Sequence, residues 1–307
     1  MLQEKIEQTR DITYKSLNTY MFSLTAIHKS LETKMKFDDL KWVNDTEEIN
    51  GFLESYKPTT QKNYVSAIVV ALSTEPTKHK KMLIHYKDKL DNLFEQLNTT
   101  NLKQELSDTQ KKNWATMDIL KNVARSYREQ VKTIGKTPTK KEIATYQEFL
   151  LSLLYTEMPP LRNDYANMLM ITEDKLKECS EDSNYFVIGK NEYWFVLNHY
   201  KTKKYYGKQY IGIPEKLYPV FSKWVKLNKT NYFLINNKNN PINSNALTKL
   251  INKTFSSTGK KIGSGLIRHI YLSDRYEANE SKKNEDASAM LHSVATQQKI
   301  YVKKTPT

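Results

Sequence analysis

The sequence predicts a mainly α-helical protein of two domains, with a small antiparallel β-sheet in the second domain. Its 307 residues exceed one typical domain and fit two. Over most of the chain, apolar residues recur at spacings of three and four, which indicates amphipathic helices. Between about residues 185 and 213 the pattern changes to short runs of aromatic and β-branched residues separated by loops, which indicates strands.

The first domain, residues 1–105, is expected to be a helical bundle. The segment 14–31 carries apolar residues on one helical face. Pro58 opens a later helix, because proline fits the first helical turn, and Pro76 ends it. Residues 98–108 lose the apolar period and are rich in Asn and Thr. We therefore place the domain boundary in this segment.

The second domain, residues 106–307, is expected to be α/β with a β-hairpin near 184–213. Its three expected strands are 185–188, 193–197 and 209–213. Expected helices precede the hairpin at 109–133 and 139–156. Further helices are expected at 215–228, 243–257, 264–278, 284–291 and 294–302.

The composition excludes several classes of protein. A single cysteine, Cys179, excludes a disulfide framework and a thiolate-rich zinc site. Only 8 glycines argue against a glycine-rich nucleotide-binding enzyme or a β-propeller. No apolar run approaches the 18 residues of a membrane span, and the polar N-terminus resembles neither a signal nor a transit peptide. We expect a soluble, intracellular protein without a membrane partner.

Positive charge is concentrated in one part of the chain. The net charge is +14, yet residues 1–100 hold 14 basic and 14 acidic residues. Residues 201–250 hold ten lysines and one acid, Glu215. A polyanion is the natural partner of such a block, although a solvated lysine-rich face would have the same composition.

Residue types suited to phosphodiester chemistry follow one another in the second domain. They are Arg162 in PPLRNDY, Lys201 in YKTKK, Arg268 in LIRH, His292 in LHS, and Tyr301. Two guanidiniums can hold the nonbridging oxygens of a phosphate through paired, permanently charged donors. A tyrosine can attack phosphorus and conserve the bond energy in a covalent link, and a lysine can protonate the departing 5′ oxygen. The histidine can hydrogen-bond an oxygen or accept the tyrosine proton.

This order resembles the tyrosine recombinase/integrase family, over essentially the whole chain. In that family a Leu-Gly-His-Ser-like box precedes the nucleophilic tyrosine by nine residues, and His292 and Tyr301 have this spacing. The PPLRNDY form looks most like integrases of eukaryotic mobile elements, large DNA viruses and virophages. The resemblance implies a helical core-binding domain followed by a catalytic domain. It also implies double-stranded DNA as partner, a tetramer on DNA in the synaptic complex, and no metal or cofactor.

The resemblance implies Arg162, Lys201, Arg268, His292 and Tyr301 as catalytic residues, with Tyr301 as nucleophile in a 3′-phosphotyrosyl intermediate. The expected function is site-specific recombination for integration or excision of a viral or mobile element. Lys203 remains an alternative to Lys201 as the proton donor. Five lysines are expected to contact DNA phosphates: Lys203, Lys204, Lys208, Lys260 and Lys261.

One position departs from the family. Its second box is usually His-x-x-Arg, but the residue three before Arg268 is Gly265. His269, directly after Arg268, matches a common histidine that is usually structural. The vacancy keeps open a weakened or inactive DNA-binding protein on a recombinase fold. A resolvase or a type IB topoisomerase-like enzyme with the same chemistry is a further alternative.

Overall fold

The computed structural model describes residues 1–276 and 282–301 of the chain. The chain divides into two compact units, Met1–Lys103 and Gln104–Thr307. The division falls two residues before the boundary expected from the sequence. The last residues of the helices expected at 264–278 and 294–302 lie outside the described residues.

The first unit is helical and is organised around its fourth helix. Its helices are α1 (Leu2–Thr9), α2 (Tyr14–Ser30), α3 (Thr46–Glu54), α4 (Pro58–Leu72) and α5 (Lys80–Leu102). Helix α4 contacts each of the others. From Tyr64 to Leu72 only Ser66 is not fully buried, because a helix surrounded by neighbours must be apolar on all sides. The segment expected as a linker begins inside α5, which continues to Leu102.

The second unit combines helices with one small sheet. Its helices before the sheet are α6 (Asp108–Asn113), α7 (Met117–Val131) and α8 (Lys140–Thr156). The helix expected at 109–133 is thus two helices, and α7 starts afresh because the Thr116 side chain accepts a hydrogen bond from the Ile119 amide. The helices after the first strands are α9 (Lys203–Tyr206), α10 (Tyr218–Leu227), α11 (Ser244–Thr254), α12 (Ser264–Tyr276), α13 (Lys282–Ala289) and α14 (Val294–Thr296).

Helix α8 is the central helix of this unit. A capping box begins it: the Thr139 hydroxyl accepts from the Glu142 amide, and the Glu142 carboxylate accepts from the Thr139 amide at 2.7 Å. Every residue from Tyr146 to Thr156 is buried. Helices α7, α10, α11 and α12 all contact α8. The loop that follows α8 is therefore held at a fixed place in the core.

The sheet is four-stranded and mixed. Its strands are β1 (Leu169–Thr172), β2 (Tyr185–Ile188), β3 (Tyr193–Leu197) and β4 (Gln209–Gly212), in that spatial order. The three strands predicted from the sequence are present and pair antiparallel, while β1 adds a parallel partner to β2. Strand β1 was not predicted from the sequence, because Leu-Met-Ile-Thr is short and contains residues common in helices.

A mainly helical fold with a small sheet is therefore confirmed. An aromatic cluster packs the sheet against α10, and its members lie at centroid distances of 5.0–6.3 Å: Tyr165, Phe186, Phe195, Phe221 and Phe233. Within the described ranges, no helix is both long enough and apolar enough to cross a lipid bilayer.

Candidate active site

Arg162 lies in the loop that leaves the central helix α8. The hydroxyl of Tyr155, in the last turn of α8, donates to the Arg162 carbonyl oxygen at 2.9 Å. Tyr155 is fully buried, so this bond fixes the loop backbone to the core. The Arg162 side chain is half-buried. Its guanidinium Nη2 lies 3.4 Å from the Tyr301 hydroxyl oxygen.

Arg268 lies in α12 and is only 1% exposed. Its Nη1 donates to the Pro160 carbonyl at 2.7 Å, and its Nη2 donates to the Met290 carbonyl at 3.4 Å. One guanidinium thus joins the loop of Arg162 to the segment of His292. The Arg268 Nε has no hydrogen-bond partner among the described residues.

His292 follows α13 and is 4% exposed. The residue before it, Leu291, has a left-handed backbone with φ of 55°. This is a conformation that glycine adopts without strain, which explains why the family box has glycine at this place. Arg268 Nη2 lies 3.4 Å from His292 Nδ1. Because arginine can only donate, a hydrogen bond across this distance requires Nδ1 to accept, and in that tautomer the ring proton is on Nε2.

The His292 ring is neutral at physiological pH. Burial and the positive charges of Arg268 and Arg162 together lower its pKa to about 4, against a hydrogen bond to the Met290 backbone that raises it. The Nε2 atom is buried and has no partner among the described residues. In the tautomer that accepts from Arg268, His292 presents an unused N–H donor at Nε2.

Tyr301 ends a π-helical turn, Gln297–Tyr301, that continues from α14. Such turns are rare and are frequent at functional sites. The Arg268 guanidinium carbon lies 4.8 Å from the Tyr301 ring centroid, and the His292 and Tyr301 ring centroids are 5.0 Å apart. Burial alone would raise the pKa of Tyr301. The charges of Arg268 and Arg162 and their hydrogen bonds to the hydroxyl outweigh burial, so the pKa lies below its usual value.

The two guanidiniums, those of Arg162 and Arg268, form no ion pair with a carboxylate of the described residues. Burial raises the pKa of the nearby Asp164, and the charges of both arginines oppose that rise. A buried guanidinium without a carboxylate is costly unless an anion completes it. The cluster of Arg162, Arg268, His292 and Tyr301 is therefore suited to an anionic ligand.

Lys201 lies outside this cluster. It is exposed in the turn after β3 and has no hydrogen bond or ion pair with any described residue. The next residue, Thr202, donates from its hydroxyl to the Leu291 carbonyl at 2.8 Å. The turn that carries Lys201 is thus fixed to the residue before His292.

The lysines expected to contact DNA occupy two places. Lys203 and Lys204 lie in α9, and Lys208 lies just before β4. Lys260 and Lys261 lie in the loop before α12, where the Lys261 amide donates to Asn113 Oδ1 at 2.8 Å. Their side chains are exposed or half-buried.

Gly265, which stands where the second box of the family usually has histidine, is surrounded by enough space for a side chain. A Cβ added at Gly265 would meet no heavy atom within 4 Å, and the residue is exposed. Its neighbour Ser264 donates to Asn163 Oδ1 at 2.8 Å, so the start of α12 is fixed to the loop of Arg162.

His269, expected from the sequence to be structural, contacts the backbone of Tyr301. Its Nδ1 lies 2.9 Å from the Tyr301 carbonyl oxygen, and the two ring centroids are 5.1 Å apart. It therefore holds the backbone of Tyr301 from the helix that carries Arg268. Its position directly after Arg268 was the available signal, but the contact depends on how the last helical turn folds back.

No family model matches the chain, and no curated protein matches it. Solved structures, in contrast, do match the chain. The chain is similar to the XerH site-specific recombinase bound to its difH substrate in a pre-cleavage complex, at a TM-score of 0.56 and 15% identity, over 97% of this chain and 80% of that chain. It also matches the XerA recombinase at a TM-score of 0.42 and 12% identity, over 99% of this chain and 92% of that chain. The chain has the fold of the tyrosine recombinases.

Proposed function

We propose that this protein is a site-specific DNA recombinase that cleaves and rejoins strands through a 3′-phosphotyrosyl intermediate. The observation that carries the proposal is the meeting of Tyr301 with two guanidiniums that have no ion pair among residues 1–276 and 282–301. Arg162 reaches the hydroxyl at 3.4 Å, and Arg268 lies 4.8 Å from the ring centroid. These residues are far apart in sequence, so the fold brings them together.

The arginines stabilise the transition state. Displacement at a phosphodiester passes through a crowded, more negatively charged phosphorane-like state. Donors fixed in a site with little water stabilise such charge because they need no reorganisation. Arg268, with its carbonyl contacts, is fixed in this way, and Arg162 is positioned by the backbone contact of Tyr155.

Tyr301 is the nucleophile. Its lowered pKa increases the fraction of phenolate, and the proton it loses passes to solvent. A bond forms between the tyrosine oxygen and phosphorus, and the bond between phosphorus and the 5′ oxygen breaks. The leaving oxygen takes a proton from the ammonium of Lys201 and becomes a 5′-hydroxyl. Rejoining reverses these steps with the 5′-hydroxyl of the exchanged strand.

His292 acts as a hydrogen-bond donor to a nonbridging oxygen of the phosphate. Its pKa of about 4 makes it a poor acceptor of the tyrosine proton at neutral pH. Its unpartnered Nε2–H is the group that an incoming oxygen would satisfy.

Double-stranded DNA is the proposed partner. The similar XerH structure is a complex with its difH substrate, and the lysine-rich stretch of this chain has the matching charge. We propose that four copies assemble on two DNA sites and that the element moved is viral or mobile. The likeness of PPLRNDY to integrases of such elements supports that role.

A suicide substrate tests the proposal. Binding sites are first selected from random duplexes, and the selected duplex is then nicked beside the scissile phosphate so that the released fragment diffuses away. The wild-type protein should accumulate an SDS-resistant adduct. Tyr301→Phe, which removes one oxygen, should bind the same duplex and form no adduct. An adduct of equal yield with Tyr301→Phe would exclude Tyr301 as nucleophile.

Gly265 favours a second candidate, a weakened or inactive DNA-binding protein on this fold. In that case the wild-type protein would bind the selected duplex and form no adduct. Gly265→His restores the family residue in a position with open space. Adduct formation by Gly265→His alone would support the second candidate for the native chain.

A further inference from the structure

The connection between β3 and β4 carries exposed aromatic rings. We call residues 203–210, KKYYGKQY, the aromatic tip. Tyr205 is 82% exposed, Tyr210 is 61% exposed and Tyr206 is 36% exposed. By contrast, Tyr185, Phe186 and Phe195 of the neighbouring strands are buried. A tyrosine ring left in water loses the burial energy that usually places it inside.

The base of the tip is rigid. The Tyr200 hydroxyl donates to the Gly207 carbonyl at 2.6 Å, and Thr202 donates to the Leu291 carbonyl at 2.8 Å. Gly207 has a φ of 63°, which returns the chain to β4 without strain. One helical turn, α9, presents Tyr205 between these two anchors. The backbone that carries the exposed rings is therefore held in place by hydrogen bonds, so binding a ligand costs less conformational entropy of this segment.

The charge of the tip selects the ligand. Lys203, Lys204 and Lys208 are interleaved with the tyrosines, and Lys208 Nζ lies 5.6 Å from the Tyr210 ring centroid. The nearest acid to Lys208 is Glu181, at a marginal 4.0 Å. Aromatic rings interleaved with cations bind nucleic acid by stacking on bases and attracting phosphates. Bases in an intact duplex are already stacked, so only an unpaired base offers its face.

We propose that the aromatic tip binds an unpaired nucleobase of DNA, which stacks on Tyr205 while the lysines of the tip attract the flanking phosphates. The position of this base beside the scissile phosphate rests on the proposed function, because Thr202 ties the tip to the residue before His292. Strand exchange requires that bases next to the break unpair. The tip is placed to hold one of them while the strands change partners.

The test measures binding without cleavage. In the Tyr301→Phe background, affinities are compared for an intact fluorescent duplex and for the same duplex with a short single-stranded gap. The parent should prefer the gapped duplex. Tyr205→Ala should lose about tenfold in affinity for the gapped duplex only, within the range for one stacked base. Tyr205→Trp should retain the preference because its ring stacks at least as well.

Two controls separate stacking from charge and from folding. Tyr14→Ala removes a comparably exposed tyrosine, 75% exposed on α2 of the first unit, and should leave the preference unchanged. The Tyr205→Ala variant should keep the parental melting temperature and the parental salt dependence, since it removes no charge. Equal losses on both duplexes, or a parent without preference for the gap, would overturn the inference. A failure to form the covalent adduct would instead contradict the proposed function and leave this binding result standing.

Discussion

The guanidinium cluster and the connection between β3 and β4 differ in how firmly their charges are held. Arg268 is buried, and its two terminal nitrogens donate to backbone carbonyls of two other segments. Lys201 is exposed and makes no hydrogen bond or ion pair with a described residue. The difference fits the two chemical tasks proposed for Arg268 and Lys201. Charge stabilisation benefits from fixed donors, whereas a proton donor must reach an oxygen that exists only as the bond breaks.

The largest expected effect is a loss of DNA cleavage when either arginine, Arg162 or Arg268, is replaced. Arg162→Lys and Arg268→Lys keep the charge and lose the paired donors. Adduct formation should fall by about 10²- to 10³-fold, by analogy with a lost oxyanion donor, with little change in duplex affinity. Single-turnover cleavage and a binding titration on the same duplex measure the two effects. Wild-type cleavage rates in both variants would remove the arginines from the site.

A loss of cleavage rate on the order of 10²-fold is expected when the side chain of Lys201, the proposed proton donor, is removed. Lys201→Ala should slow cleavage of ordinary DNA and be rescued by a substrate with a 5′-bridging phosphorothiolate. The thiolate leaves without a proton, so the missing acid no longer matters.

Lys203→Ala is the matched control for this rescue. Rescue of Lys203→Ala without rescue of Lys201→Ala would move the proton donor to Lys203. No rescue of either variant would place the donor elsewhere, with the vacancy at Gly265 as the first place to search.

The burial of His292 should also make the free energy of unfolding depend on pH. The folded-state pKa of His292 is about 4, below its usual 6.5, so the unfolded state binds more protons between these values. Stability should therefore fall as the pH drops from about 6.5 to 4, by about 3 kcal/mol from this residue. Urea unfolding at pH 7 and pH 4 measures the loss, and His292→Gln should reduce it. An equal loss in both proteins would mean that His292 is not the titrating group.

The smallest expected effects belong to the exposed lysines. Lys203→Ala and Lys204→Ala should each weaken duplex binding modestly and reduce the slope of log affinity against log salt by about one. Affinity titrations at several salt concentrations measure the slope. Unchanged slopes in both variants would place these lysines away from the phosphates.

The sequence carried the fold class and the identity of the candidate residues, because helix periodicity and the spacing of His292 and Tyr301 are local patterns. Other features depend on contacts between distant segments. The bond from Thr202 to Leu291 and the approach of His269 to the Tyr301 carbonyl join residues that have no shared sequence pattern. Strand β1 was missed for the same reason, since its pairing with β2 defines it more than its four residues do.

The left-handed backbone of Leu291 is the clearest feature that could not be predicted from the sequence. A glycine at this position would have predicted a left-handed backbone, whereas a leucine does not. The φ of 55° is therefore known only from the structure. The lowered pKa of His292 is equally invisible in the sequence, because it follows from burial and from the nearby Arg268.

The central claim is that Tyr301 attacks phosphorus within the guanidinium cluster. The most direct measurement is mass spectrometry of the trapped adduct after digestion by nuclease and protease. The account predicts a nucleotide 3′-phosphate attached to the peptide that contains Tyr301, and no modified peptide from the other 19 of the 20 tyrosines. A nucleotide on any other residue, or a stable adduct in which Tyr301 is unmodified, would contradict it.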